Sequence, residues 1–128
     1  MNRFAPVALI ALALLGACTS SQNASGTTTY TKTAAGIQVQ VLLDEYKIHM
    51  PTTIPPGEIT FNVKNTGHHE HTIEVSGQAV DAKLSPNLKP GDSATLRVHL
   101  ERGTYKVWCP VGPHATMGMR LELTVRPD

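Results

Sequence analysis

From residue 37 onward the chain alternates apolar and polar positions in short runs, the period-two signature of strands with one buried face. Residues 37–43 (IQVQVLL) open the pattern and 46–50 (YKIHM) continue it. In 58–64 (EITFNVK), Ile59, Phe61 and Val63 share a face. Residues 71–75 (HTIEV), 94–100 (ATLRVHL), 103–109 (GTYKVWC) and 119–125 (MRLELTV) complete the set. Breakers separate these runs: Pro51, Pro55, Pro56 and Gly57, then Asn65-Thr66-Gly67, then Ser76-Gly77, then 84–92 with Pro86 and Pro90. Residues 78–90 read either as a short helix or as an irregular loop. No segment keeps a 3.6-residue period. The spacing predicts an all-β domain over 37–128, a Greek-key antiparallel β-sandwich of seven or eight strands.

The first residues follow another pattern. Arg3 precedes an almost wholly apolar run, 4–15, which ends in Gly16 and Ala17. A run of about 12 residues is too short to span a bilayer as a helix, which needs roughly 20, and it reads as an export signal over 1–17. The tetrad Leu15-Gly16-Ala17-Cys18 resembles the lipobox of bacterial lipoproteins. That resemblance implies cleavage before Cys18 and acylation of Cys18, and hence a domain held at a membrane of the bacterial cell envelope. A plain secretory signal with an incidental cysteine is the competing reading. Residues 18–36, small and polar after the cysteine, have almost nothing to bury and read as a flexible Ser/Thr-rich tether. A coil of about 18 residues has an r.m.s. span of roughly 20–25 Å.

Length and charge narrow the picture further. The chain has 128 residues, room for one domain. Its formal net charge is +1, and loss of Arg3 with the signal takes this to 0. No basic face suited to nucleic acid is expected. The two cysteines, Cys18 and Cys109, lie in unlike surroundings, and acylation of Cys18 would leave no disulfide partner for Cys109.

The chemistry concentrates in one segment. Cys109 closes a strand, a Pro/Gly turn carries His114, and Met117 and Met119 precede the next strand. A thiolate, an imidazole and a thioether from one turn suit copper, which must be held as both Cu(I) and Cu(II). Two His and one Cys with a weak axial Met form the blue-copper arrangement. A further histidine must then come from elsewhere, and 65–71 (NTGHHEH) offers His68, His69 and His71. Strand phase favours His71, which leads directly into 72–75. His68 and His69 read as solvent-facing, with weak binding of a second metal as their alternative role.

These residues resemble the cupredoxin family, the type 1 copper proteins that include plastocyanin, pseudoazurin and rusticyanin. Members often carry N-x-G-x-x-x-H, here Asn65, Gly67 and His71, followed by a C-x-H-x-M ligand loop, here Cys109, His114 and Met119 with four residues in each gap. The resemblance covers nearly all of 37–128. It implies one copper ion bound by His71, Cys109, His114 and Met119. Met117 competes with Met119, and the Met-Gly-Met order resembles pseudoazurin, in which the later Met binds. Two positions depart from the family: Gly112-Pro113 reverses the usual order, and Thr72 stands where many members have Asn.

Such a site implies one-electron transfer rather than catalysis, since four protein ligands leave no open position for a reacting water. The resemblance also implies that His114 is the electron port, within the uncharged patch Pro110, Val111, Gly112, Pro113, Ala115 and Met117. Small apolar contacts suit weak, fast-exchanging redox partner proteins. A monomer is expected. The competing functions are an envelope copper-binding protein for acquisition, storage or delivery, and an accessory copper subunit of an oxidase or reductase. His49 and His99 read as polar-face residues and Tyr105 as core.

Overall fold

The computed structural model describes residues 29–128. The expected signal over 1–17, Cys18 with its expected lipid attachment, and most of the expected tether lie outside the described residues. Ten strands run in chain order: β1 (Tyr30–Thr33), β2 (Gly36–Asp44), β3 (Lys47–His49), β4 (Thr53–Ile54), β5 (Gly57–Asn65), β6 (Glu74–Gly77), β7 (Val80–Lys83), β8 (Ser93–Leu100), β9 (Gly103–Trp108) and β10 (Arg120–Val125). One sheet has the order β1-β2-β5-β8, with β3 also on β2; the other has the order β4-β10-β9-β6-β7. Among the described residues no helix is long and apolar enough to cross a membrane.

The alternation read from the sequence sets which faces meet. Ile37, Val39, Val41 and Leu43 of β2 are buried beside Ile59, Phe61 and Val63 of β5. The register pairs Ile37 with Ile59, Val39 with Phe61 and Val41 with Val63, so one continuous apolar face results. Val75, Tyr105, Val107, Leu123 and Val125 of the opposite sheet close over it. Each such fully buried side chain contributes about 1.5–3 kcal/mol. On β8 the pattern is weaker. Ala94, Leu96 and Val98 are half-buried and only Leu100 is fully covered, because β8 is an edge strand paired on one side to β5. Tyr105 donates its hydroxyl to the Glu101 carbonyl at 2.9 Å, fixing the entry to β9. Trp108 is half-buried, with the Lys106 ammonium 4.5 Å above its ring.

The sandwich differs from the sequence expectation in five ways, the first being ten strands among the described residues where seven or eight were expected. Its sheets are mixed: β2 and β5 are parallel, as are β10 and β4. The segment read as tether contains β1, which pairs antiparallel with β2 from Tyr30↔Val39 to Thr33↔Gly36. Tyr30 and Lys32 both bond Asp128, so a segment with little to bury is held by its backbone ladder and by polar ties to the last residue. Within 78–90, Val80–Lys83 form β7, which joins β6 through the turn Gln78-Ala79, both with positive φ (51° and 64°). This is a type I′ hairpin turn without the usual Asn-Gly. Last, β6 starts at Glu74, whereas His71 makes an isolated bridge to Leu88.

Candidate metal centre

The ends of β2, β5 and β9 come together, and the side chains singled out by spacing gather there. His71 is anchored by its backbone: its N–H donates to the Leu88 carbonyl at 3.1 Å and its carbonyl accepts from Leu88 N–H at 2.8 Å. Asn65, wholly buried, ties the preceding loop. Its Nδ2 donates to the carbonyls of His69 (2.7 Å) and Leu88 (2.9 Å), and its Oδ1 accepts from Gly67 N–H (2.9 Å). Thr72, at the position where many cupredoxins have Asn, donates its hydroxyl to the Leu84 carbonyl at 2.6 Å. The strap 84–92 and the 65–72 loop are thereby locked to each other.

Cys109 continues β9 beyond its last ladder pair, and its N–H donates to the Met119 carbonyl at 3.0 Å. The loop between them is wound tightly. Met119 N–H donates to the His114 carbonyl at 3.0 Å and Met117 N–H to the Pro113 carbonyl at 3.1 Å. Gly112 takes φ 45°, a left-handed conformation that starts the turn without a Cβ penalty. The reversed Gly112-Pro113 order is thus accommodated by Gly112 itself.

His71, Cys109 and His114 form a group whose ligand atoms all lie within 4.8 Å of one another. His71 Nδ1 is 3.2 Å from His114 Nδ1, and Cys109 Sγ is 3.7 Å from that same nitrogen. His71 and Cys109 are wholly buried; His114 is half-buried. Burial, with the neighbouring His114 adding to it, pushes the His71 pKa below its ordinary value, which favours the neutral imidazole that binds metals. The three histidines of the 65–71 loop part company: the His68 and His69 side chains are 92% and 63% exposed, and that of His71 is 0% exposed. The two methionines separate too, Met119 being wholly buried and Met117 50% exposed. His49 and His99 are exposed, facing Asp44 and Glu58.

Two residues that the sequence reading passed over border the site. The β2–β3 connection is the two-residue turn Glu45-Tyr46, closed by the Asp44↔Lys47 pair. Tyr46 takes φ 60°, unusual for a bulky residue. Its ring meets that of His114 edge-on, with centroids 5.4 Å apart and planes at 77°. Glu45 Oε1 lies 3.6 Å from His71 Nε2. The turn itself is readable from a break between two alternating runs; its contact with residues 71 and 114 is not local and leaves no mark in the pattern.

One cysteine sulfur and two imidazole nitrogens, converging where two of the three side chains are wholly buried, fit one copper ion of type 1. Such a site at the end of a β-sandwich defines a copper-protein domain. Residues 8–124 match the family model of the cupredoxin-like domain, and the chain belongs to that family. Solved structures of similar fold include a dithionite-reduced auracyanin from the photosynthetic bacterium Roseiflexus castenholzii, with a TM-score of 0.61 and 22% identity over 70% of this chain and 97% of that one. Auracyanin B is similar at a TM-score of 0.59 and 18% identity, over 70% of this chain and 88% of that one. A copper-containing nitrite reductase from Thermus scotoductus SA-01 is similar at a TM-score of 0.55 and 14% identity, over 71% of this chain and 31% of that one. No curated protein sequence matches the chain at a significant level.

Proposed function

We propose that this chain is a one-electron carrier of the cell envelope, tethered through Cys18, with copper held by His71, Cys109, His114 and Met119. The observation that carries this reading is the convergence of two Nδ1 atoms and Cys109 Sγ on one buried point, with the His114 ring as the half-exposed member. When bound, copper supplies one-electron exchange between Cu(I) and Cu(II). The chain's part is to fix the donors. Backbone bonds hold His71 to Leu88, and hold Cys109 and His114 to Met119. Ligands set by the fold move little between oxidation states, and this keeps exchange fast. The tether and its lipid rest on Leu15-Gly16-Ala17-Cys18.

Met119 is the proposed fourth residue that would hold the copper because it is buried and bonded into the loop, whereas Met117 is half-exposed. Met119→Gln is expected to lower the reduction potential by more than about 59 mV, a tenfold change in a one-electron ratio. An oxygen in place of the thioether would be a harder donor and would favour Cu(II). Met117→Gln should leave the potential unchanged. Protein-film voltammetry of both variants decides between the two residues, and the reverse result moves the ligand role to Met117.

The exposed face around His114 is the proposed docking patch for redox partner proteins. Gly112, Pro113 and Met117 are exposed, Pro110, Val111 and Ala115 are half-buried, and none carries a charge. The full experiment loads the protein with copper and cycles it. Electron transfer predicts a blue or green protein with a strong thiolate-to-Cu(II) band that bleaches reversibly and retains its metal. Val111→Glu should then slow electron self-exchange at least tenfold while leaving the spectrum intact; an unchanged rate would remove the port. Release of copper on each cycle supports the delivery reading, which the exposed His68, His69 and Met117 favour. Oxygen uptake with a reductant supports an enzyme component.

A further inference from the structure

The β2–β3 turn presents a carboxylate that the ligand set leaves unused. Glu45 Oε1 accepts the backbone N–H of His68 and that of His69, the latter at 3.1 Å. The rings of both residues stand beside it, each with Nδ1 3.4 Å from a carboxylate oxygen. Gly67 provides the room, since a Cβ there would lie 2.5 Å from Oε1. Hydrogen bonding, led by the His68 amide, holds this carboxyl well below the usual carboxylate range against the opposing effect of burial. The side chain is 26% exposed, so the charge sits at the boundary of the site rather than in open water.

On the inner side of this cradle is His71 Nε2, buried and without a hydrogen-bond partner. It faces the same Oε1 at 3.6 Å. An imidazole that gives Nδ1 to a metal carries its proton on Nε2, and that proton needs an acceptor. The 3.6 Å separation exceeds an ordinary N–H···O distance by about 0.4 Å. The two observations, an orphaned buried ring nitrogen and a carboxylate locked opposite it, complement each other.

We propose that Glu45 is the positioning residue for His71: its carboxylate, fixed by the amides of residues 68 and 69, accepts the His71 Nε2–H and so commits Nδ1 to copper. The negative charge also makes the imidazole a stronger donor, which favours Cu(II) over Cu(I). This role rests on the reading of His71 as a ligand. The alternative use of Glu45, as a ligand with His68 and His69 in a second metal site, is less favoured. The His68 and His69 side chains that would have to join it are 92% and 63% exposed.

Two variants separate charge from acceptor. Glu45→Gln keeps an oxygen for the amides and for His71 but loses the charge. Its reduction potential is expected to rise by about 59 mV, a tenfold shift in the ratio of the Cu(II) and Cu(I) affinities, with the thiolate band retained. Glu45→Ala removes the acceptor. Its copper affinity is expected to fall roughly 10–100-fold. In the metal-free protein, nitrogen-15 NMR should then show His71 shifting from the Nε2–H tautomer toward a mixture. An unchanged potential in Glu45→Gln together with an unchanged His71 tautomer in Glu45→Ala overturns the proposal. So does a wild type that binds two coppers where Glu45→Gln binds one. If the wild type fails to take up copper, the electron-carrier reading falls, and the metal-free tautomer comparison still decides the role of Glu45.

Discussion

Cys109→Ser is expected to abolish the strong visible absorption of the copper-loaded protein and its reversible one-electron wave, while leaving the fold in place. The thiolate is the soft, strongly donating ligand of the group, and the intense band arises from charge transfer out of its sulfur. A serine hydroxyl at the same position is a hard, weak donor that remains protonated at neutral pH. Copper affinity should drop by more than the roughly 10–100-fold that accompanies loss of an outer hydrogen-bond partner. The exchange of sulfur for oxygen is nearly isosteric. Cys109 is wholly buried, and its backbone N–H keeps its bond to the Met119 carbonyl. Circular dichroism should therefore match the wild type. A Cys109→Ser protein that stays blue would remove the sulfur from the site; one that unfolds would make Cys109 a packing residue first.

Asn65→Ala is expected to be the most destabilising single polar change near the site, and it should loosen His71 without touching it. Three hydrogen bonds end on this buried amide, from Gly67 and to His69 and Leu88. Alanine leaves the Gly67 N–H and the His69 carbonyl without these partners and the Leu88 carbonyl with the His71 N–H alone. With about 1–3 kcal/mol for each buried group left unsatisfied, a total of about 3 kcal/mol follows. For a domain of this size that corresponds to a fall in Tm of roughly 12–24 °C. Asn65→Asp should be no better, because its carboxylate faces two carbonyl oxygens where Nδ2 donated. Thermal unfolding of the metal-free protein measures this directly. A fall in Tm of only a few degrees would mean that the loop is held by its backbone alone, through Asn65 N–H to Asp92 and Gly91 N–H to Asn65.

The parts of the fold that could be read from sequence are those with a long enough period. β2, β5, β8, β9 and β10 each run six residues or more and fall within a residue or two of the alternations that predicted them. β4 is two residues long and sits among prolines, too short for any period to register. β1 is Thr-rich and largely exposed, and it forms because β2 offers it a free edge rather than because it has a face to bury. β7 escaped because Gln78-Ala79 adopts a turn that other residue types normally announce. The grouping of Cys109 and His114 was legible because both lie in one contiguous loop. His71 required a choice among three neighbours. Glu45 and Tyr46 were invisible for a different reason: they approach the site from another strand pair, and only the parallel alignment of β2 with β5 brings the 45–46 turn beside residues 67–71.

That turn has a mechanical consequence. Glu45 leans on His71, and the next residue, Tyr46, leans on His114. The Tyr46 carbonyl also sits where a Cβ on Gly118 would lie 3.3 Å away, so the turn is wedged against the far end of the ligand loop. A shared support correlates errors. A substitution that moves this turn would therefore be felt at both imidazoles, whereas one in either ligand loop reaches a single ring.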